Sequence, residues 1–352
     1  MFEPTFNRAI KLRQADPRIT SDAGALLLRE ADHRLGLTAD LAAQLTDDRD
    51  PERIRYEQVE LLRQHLCAVA LGYAHQDDQD ALAHDVALKL AVWDRPGRRG
   101  LPERLASQPS DWRLIDRLTS PSNRRALRTA LREWVARHQR ATGRARQVAH
   151  GTLDIDPFPI EVHGRQPGGA YHGNYRQTMY YPLVASFRVA DSYESARLGE
   201  GFIHTILKRG TFEDRLGEFN GVIGNGLSAG SFAANEASLL LKRLAFNLAG
   251  MLWGGLEDAS GCGWDLKRVQ QTVLEAGARV VEHSRRVLVD VARAAGVLWD
   301  RLLGRIARWW QPRGLPRSAP GVAGVGIWGR PPRPRRWVPP PRHAHLSLVL
   351  RE

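Results

Sequence analysis

The sequence predicts an α/β protein in which helical regions flank a shorter segment of strands. Apolar residues recur every three to four positions through residues 20–92, as they do in amphipathic helices. From Leu153 to Asp156 the period changes to two, because apolar residues alternate with aspartates as in a half-buried strand. Tyr180 to Val189 is a second strand-like run, rich in apolar, β-branched and aromatic residues. The leucine-rich stretch from Leu239 to Leu248 then predicts a buried helix.

Glycines divide the N-terminal helical region. Leu26, Leu27, Leu28 and Leu35 share one helical face, and Gly36 follows as a plausible stop. A second apolar face extends from Leu61 to Ala70 and is followed by Gly72. After a proline-containing loop at residues 96–102, helical periodicity resumes.

Three arginines lie one helical turn apart between Asn123 and Arg140. Arg124, Arg128 and Arg132 would form a stripe along one side of a helix. Such a stripe can follow a phosphate backbone, but a solvated helix face explains it equally simply and is the more common case. The sequence therefore favours the solvated face and leaves the phosphate interpretation open.

Strand periodicity ends in a predicted hairpin, after which the chain becomes helical again. Asp191 and Ser192 form a plausible turn from the Tyr180–Val189 run into Tyr193–Leu198. Helical periodicity returns at Arg209. Because strands occupy only the middle of the chain, the strand-containing region is bounded by helices on both sides.

We expect four regions along the chain. Residues 1–148 form a helical N-terminal region, and residues 149–254 form the region that contains the strands. Residues 255–311 form a basic helical module, with arginines placed among valines and leucines. Residues 312–352 are dense in Pro, Arg and Gly without periodicity, which predicts a disordered tail.

The charge balance favours a nucleic-acid partner. The chain carries a formal net charge of +12, and arginine, which pairs bidentately with phosphate, supplies most of the cations. An arginine-rich composition inherited from a GC-rich coding sequence is the alternative explanation. Cys67 and Cys262 are the only cysteines, so neither a disulfide framework nor a zinc site is indicated. Without a signal peptide or an uncharged apolar run of bilayer length, we expect a cytoplasmic protein that contacts no membrane.

Two acidic positions suit metal-dependent chemistry on DNA. Cleaving or joining DNA strands takes divalent ions held by hard oxygen ligands, which converging carboxylates supply. Asp156 suits this role because Pro157 ends the strand there, and ligands collect at the carboxyl ends of strands in open α/β sheets. Glu213 lies in a helical pattern, four residues after Arg209. Alone, each signal is weak. A strand with two outward carboxylates is more often simply solvated, and an arginine and a glutamate four residues apart on a helix usually form a surface ion pair.

Other histidines and acids carry less weight. A group in the N-terminal region has metal-like chemistry but lies beside a helical pattern, which favours a solvated, capped turn: His75, Asp77, Asp78, Asp80, His84 and Asp85. His163 and His172 each precede a glycine in a loop-rich stretch, which favours turns over metal binding.

Several segments together resemble a known family. LDIDPFPIEVHGRQ (Leu153–Gln166) resembles the first-strand motif of bacterial insertion-sequence transposases of the DDE type, in the subgroup with a DDE group 1 domain. YYPLVASF (Tyr180–Phe187) is similar to that family's second strand, and KRGTFEDRLGEFN (Lys208–Asn220) to its signature around the third acidic residue. FAANEASLLLKRLAFNL (Phe232–Leu248) resembles the helix that follows. Upstream, ITSDAGALLLREADHRLGL and LGYAHQDDQDALAHDVALKL resemble the family's helical N-terminal region.

The resemblance implies a ribonuclease H-like catalytic core. Asp156, or its neighbour Asp154, would be the first acid of the DDE triad and Glu213 the last, with Arg209 matching the arginine that precedes this glutamate. Asp156 and Glu213 would then bind Mg²⁺ or Mn²⁺. The implied partners are double-stranded DNA, as terminal inverted repeats and target DNA, and a second copy in a homodimer. Two positions depart from the signature, because Asn220 stands where lysine is usual and Ile206 where tyrosine is usual.

No segment matches the one that holds the family's second aspartate. The predicted meander ends near Leu198, and Arg209 follows too soon for the helix and fourth strand that a ribonuclease H-like sheet requires, since a βαβ crossover alone takes at least about 10–12 residues. The acids in this interval, Asp191, Glu194 and Glu200, are poorly placed to replace the aspartate. We therefore expect an incomplete ribonuclease H-like core, formed by an internal deletion that leaves an unpaired sheet edge.

We therefore predict a DDE transposase remnant that has lost catalysis and is associated with the nucleoid. Residues 1–148 would be its DNA-binding or accessory region, and residues 149–254 its truncated catalytic domain. The intact family would cleave and transfer DNA with Mg²⁺. The alternative is a non-enzymatic DNA-binding protein that occupies element ends, and a third possibility is an unfolded product without function.

Overall fold

A computed structural model describes most of the chain. The described residues are 18–93, 101–142, 150–157, 159–162, 166–180, 183–190, 217, 219, 221, 227, 229–260, 264–283, 286–309 and 346–350. For 150–157, 183–190 and 346–350 the description concerns the backbone path and its pairing.

Seven helices form the N-terminal part of the described chain. In order they are α1 (Ala25–Leu35), α2 (Leu37–Gln44), α3 (Gln58–Ala70), α4 (Asp78–Leu82), α5 (Val86–Val92), α6 (Gln108–Arg117) and α7 (Pro121–Ala141). A 3₁₀ turn at Pro51–Arg53 precedes α3. The predicted helical character of this region is confirmed by these elements.

Glycine ends helix α1 as the sequence predicts. Gly36 follows Leu35 with a φ of 66°, a left-handed conformation that costs other residues free energy, and its N–H bonds back to the Asp32 carbonyl. Gly72 follows α3 with a φ of 101°. At the other end of α3, Glu57 and Glu60 form a reciprocal capping box.

A long helix, α8 (Phe232–Ser260), lies at the centre of the fold. It packs against α1, α3 and α7, so its apolar face and those of the N-terminal helices form one continuous core. Leu241, Leu244 and Leu248 on this helix are buried, which confirms the buried helix expected over Leu239–Leu248.

The described part of the chain contains three small sheets. Their bounds are β1 (Ile19–Thr20), β2 (His150–Pro157), β3 (Ile160–Glu161), β4 (Ala170–His172), β5 (Gln177–Tyr180), β6 (Leu183–Ala190), β7 (Ala278–His283), β8 (Arg286–Val291) and β9 (Leu346–Leu350). The strand orders are β1-β7-β8, β6-β2-β9 and β3-β5-β4. β2 is antiparallel to β6 and parallel to β9, and the other pairings are antiparallel.

The C-terminal region contains more strand than the sequence predicts. Helix α9 (Leu266–Val269) and a π-helical turn at Gln270–Leu274 precede the β7–β8 hairpin in the chain, and helix α10 (Arg293–Ile306) follows it. Within the 312–352 segment expected to be disordered, β9 forms a strand whose residues are mostly apolar. The mixture of helices and antiparallel sheets agrees with the predicted α/β class, and the ribonuclease H-like arrangement stays a prediction. Among the helices described, none combines the length and apolar character that crossing a bilayer requires.

Candidate functional site

The first predicted acidic positions lie on the central strand of one sheet. β2 bears Asp154 and Asp156 at alternate positions, so both belong to the same face of the strand, and it ends at Pro157. In the pairing with β6, Asp154 is opposite Ser186 and Asp156 opposite Val184. The strand and its end are therefore as predicted from the Leu153–Asp156 alternation.

The neighbour of β2 on its other edge comes from the far end of the chain. β9 runs parallel to β2, with Val349 opposite Asp154 and Leu350 opposite Ile155. The expected ribonuclease H-like core carries its second acid on a fourth strand. The sequence of β9 is LSLVL, which contains no carboxylate.

The second half of the predicted site lies outside the described residues. The structure does not describe Arg209 or Glu213. It also does not describe Ile206, Asn220 or the predicted Tyr193–Leu198 strand. The acids considered as replacements for the second aspartate also lie outside the described residues: Asp191, Glu194 and Glu200. The pairing of Asp156 with Glu213 therefore stays a prediction.

A divalent-ion site is not complete in the part of the chain that the structure describes. No group of three or more His, Cys, Asp or Glu residues lies close enough there to hold a metal ion. No catalytic step is therefore routed through a bound ion.

A hydrogen-bonded cluster joins three of the segments that carry the family resemblance. The Gln166 Oε1 atom accepts bonds from the Tyr180 hydroxyl at 3.1 Å and from the Asn235 amide at 2.9 Å. The Asn235 side chain also exchanges two 3.0 Å bonds with the Ala229 backbone, and the Gln166 amide donates to the Leu227 carbonyl. The cluster fixes the start of α8 against β5 and the segment after β3. No local pattern predicts it, since the partners are far apart in sequence.

Aromatic contacts reinforce the attachment to α8. The Tyr180 ring lies edge-on to Phe232 with centroids 5.6 Å apart, and Phe219 lies edge-on to Phe246 at 5.5 Å. The Arg243 guanidinium lies over the Phe219 ring, 5.3 Å from its centroid, and burial lowers its pKa to about 9. Phe219 belongs to the segment that resembles the third-acid signature, and this one residue of the segment contacts α8.

The arginine stripe of α7 is divided between two roles. Arg124 and Arg128 both contact the Glu236 carboxylate of α8, so they connect the two helices and do not form a purely solvated face. On the neighbouring side of α7, the side chains of Arg125, Arg132 and Arg140 are exposed, seven and eight residues apart and hence on one face. These three residues are named here the outer arginine face. Arg132 belongs to the stripe predicted from the sequence, whereas Arg125 and Arg140 were not singled out there.

The histidine- and aspartate-rich turn behaves as the capped turn that the sequence favours. Asp78 accepts from the His75 amide, and Asp85 caps α5 by accepting from the Leu88 amide at 2.7 Å. Asp80 accepts from the Gln108 amide. His172 lies against the Tyr175 ring, and His163 is outside the described residues. The carboxylates are thus used for capping.

Comparison with known proteins gives one family. Residues 2–205 match the family described as Transposase DDE domain group 1. No curated protein and no solved structure matches the chain. The match includes β2 with Asp154 and Asp156 and ends before Arg209 and Glu213. Because it extends over more than half of the sequence, the chain belongs to the DDE transposase family, group 1.

Proposed function

We propose that this chain is a deletion remnant of an insertion-sequence transposase that binds DNA and does not cleave it. The family acts on DNA and generally uses a divalent metal ion. The observation that carries the proposal is the pairing of β2, whose parallel neighbour β9 contributes no carboxylate beside the acidic strand. With the second acid missing, the triad is reduced to two members.

Within this proposal the remaining members of the triad are Asp156, or its neighbour Asp154, and Glu213. They would bind Mg²⁺ or Mn²⁺ at the carboxyl end of β2, with Arg209 close to the glutamate. Two carboxylates hold a hard cation less tightly than three and leave its position poorly fixed. Strand transfer needs the attacking and leaving oxygens to be clamped, so a loosely held ion would not suffice.

The DNA-binding part of the proposal rests on charge and its placement. The net charge of +12 provides attraction to phosphate, and the outer arginine face (Arg125, Arg132, Arg140) offers cations about two helical turns apart. The expected partners are the terminal inverted repeats of the parent element and target DNA. A nucleoid location and a homodimer would follow from binding paired element ends.

The first experiment measures metal-dependent nicking. The folded chain is incubated with a duplex carrying the parent element's end in Mg²⁺ or Mn²⁺, beside Asp156→Ala, Glu213→Ala and the control Asp300→Ala, which changes an exposed acid of α10. We expect all four proteins to give the same background. Nicking that only Asp156→Ala and Glu213→Ala abolish would show that another ligand replaces the second aspartate, and the inactive assignment would be wrong.

The second experiment measures DNA binding as a function of salt. Arg132→Gln with Arg140→Gln is compared with Arg113→Gln, which removes an exposed arginine from α6. Two lost phosphate contacts should reduce the slope of log K against log salt by about 1.8, and the α6 variant should leave it unchanged. Equal slopes in all proteins would exclude the outer arginine face from the interface.

The alternative function is a non-enzymatic DNA-binding protein that occupies element ends. The split role of the α7 arginines favours keeping it, since the cations that remain exposed do not depend on the metal site. Preference for the parent element's ends over unrelated duplex at equal salt would support this function. Equal affinity for any duplex would indicate only a basic chain.

A further inference from the structure

The β4–β5 hairpin presents two exposed tyrosines. Tyr171 on β4 is 68% exposed, the highest fraction among the large apolar and aromatic side chains described, and Tyr175 in the turn is 49% exposed. The Tyr175 ring lies against His172, with centroids 5.1 Å apart. Tyr171 makes no hydrogen bond or ring contact to another described residue. Tyrosine is common at interfaces because its ring is apolar while its hydroxyl stays hydrated.

The strand register places Tyr171 and Phe232 beside one face of this sheet. Tyr171 is directly opposite Thr178 of β5, and Tyr180 lies on the same face of β5 two residues further along, about 7 Å away. Phe232, which is 49% exposed at the start of α8, lies edge-on to Tyr180. An exposed aromatic ring therefore lies towards each end of this face, with the exposed Thr178 between the two rings.

The charge of the hairpin suits a polyanion. No residue from Gln166 to Tyr180 is acidic, and Arg176 is exposed at the end of the turn, without an ion pair to another described residue. The acid of this sheet is Glu161 on β3, which is opposite Met179 and therefore lies on the other face from Tyr171. In a chain with a net charge of +12, phosphate is attracted to this face and no carboxylate of the sheet repels it there.

The backbone of the turn is strained at its arginine. Arg176 has a φ of 53° and is the one non-glycine residue with a positive φ in the described part of the chain. This left-handed conformation costs an arginine free energy that glycine or asparagine would largely avoid. Strained positions of this kind cluster at binding sites. The turn thus keeps a cation at a position where local backbone geometry favours other residues.

From these observations we infer that the β4–β5 hairpin binds single-stranded DNA, with bases stacked on Tyr171 and Phe232 and a phosphate paired with Arg176. A duplex covers the flat faces of its bases with neighbouring base pairs, whereas unpaired bases stack on exposed aromatic rings. The inference goes beyond the duplex binding proposed above. It uses neither the DDE acids nor the outer arginine face, so it holds or fails separately from the proposed function.

Fluorescence anisotropy with the folded full chain tests this surface. The labelled probes are oligo-dT, a duplex of oligo-dT with oligo-dA, and oligo-rU, all of the same length. Tyr171→Ala should weaken oligo-dT binding by about fivefold or more, the effect of losing one stacked base, and should leave the duplex affinity unchanged. Tyr171→Phe keeps the ring and should bind oligo-dT within about twofold of the unmodified chain. Arg176→Asn tolerates the left-handed turn and should reduce the slope of log K against log salt for oligo-dT by about 0.7, for one lost phosphate contact.

The matched control is Trp112→Ala, which removes a ring that is 53% exposed on α6 and should leave each affinity unchanged. Unchanged oligo-dT affinity in a folded Tyr171→Ala protein would overturn the inference. So would an equal loss of duplex affinity in that variant, tighter binding of oligo-rU than of oligo-dT, or the absence of oligo-dT binding. If oligo-dT binding depends on Tyr171 while the duplex does not bind, the inference stands and the proposed duplex binding fails.

Discussion

Replacing Lys242 by methionine should stabilise the fold. Methionine has a similar length and flexibility but carries no charge, so it removes the cost of burying the ammonium. Burial lowers the pKa of Lys242 from 10.5 to about 8. At about 1.36 kcal/mol for each pH unit, this difference corresponds to about 3 kcal/mol of destabilisation when both states are protonated.

The pH dependence follows from the direction of this pKa change. Between pH 8 and 10.5 the unfolded chain binds more protons at Lys242 than the folded chain, so the stability of the unmodified protein rises with pH there. The advantage of Lys242→Met should therefore be about 3 kcal/mol at pH 7 and about 1 kcal/mol at pH 10. Below pH 8 it should be constant, because Lys242 is protonated in both states.

Urea denaturation followed by circular dichroism at pH 7 and pH 10 measures both values. Lys267→Met is the control, and its change in the free energy of unfolding should stay within about 0.5 kcal/mol at either pH, as for most surface substitutions. A loss of stability in Lys242→Met at pH 7 would refute the argument from desolvation. A gain that is the same at both pH values would refute its assignment to the lysine charge.

Three further changes test the core, the hydrogen-bonded cluster and a close approach of backbones. Trp134→Ala removes a side chain that is 2% exposed. It should lower the free energy of unfolding, measured by urea denaturation, by about 3–5 kcal/mol, and a loss under 1 kcal/mol would contradict its core position. Asn235→Ala leaves the backbone N–H of Ala229 without its acceptor and should lower the free energy of unfolding by about 1–3 kcal/mol. An unchanged urea midpoint would show that water replaces the side chain. Gly24→Ala places a methyl group on the Leu274 backbone, and the melting temperature should fall by several degrees or more.

Local patterns predicted the helices because their signals lie within the elements themselves. The spacing of Leu27, Leu28 and Leu35 requires one apolar face, and Gly36 supplies the left-handed residue that ends it. The alternation across Leu153–Asp156 located β2 for the same reason. Neither case depends on a distant part of the chain.

The strands of the C-terminal region illustrate where local patterns are ambiguous. The runs Ala278–His283 and Arg286–Val291 are short and mix valines with charged residues, so their local period does not distinguish a strand from a helix. In the fold, β7 pairs along its length with β8, and it also pairs with β1, where Ile19 is opposite Arg279. A contact between residues so far apart leaves no trace in the local period.

The side-chain partners of the arginines and of His65 could not be predicted from the sequence, for the same reason. Arg124 and Arg128 have helical spacing whether they face water or Glu236, and only the packing of α7 on α8 decides. His65 was not distinguished from other residues of an apolar face, and its partner Asp111 lies on another helix. Sequence periodicity thus identifies which face is buried but not what a polar residue on it contacts.

If the chain is the deletion remnant proposed above, the distribution of contacts explains how it can keep its fold. The Gln166 cluster attaches the residues after β3 and β5 to α8 without using the interval that lacks the second acid. α8 in turn shares its core with the N-terminal helices, so its burial does not depend on a complete sheet. Catalysis has no such independence, because it needs carboxylates from several strands at one edge. A deletion in this interval should therefore remove strand cleavage first and leave the helical region able to bind DNA.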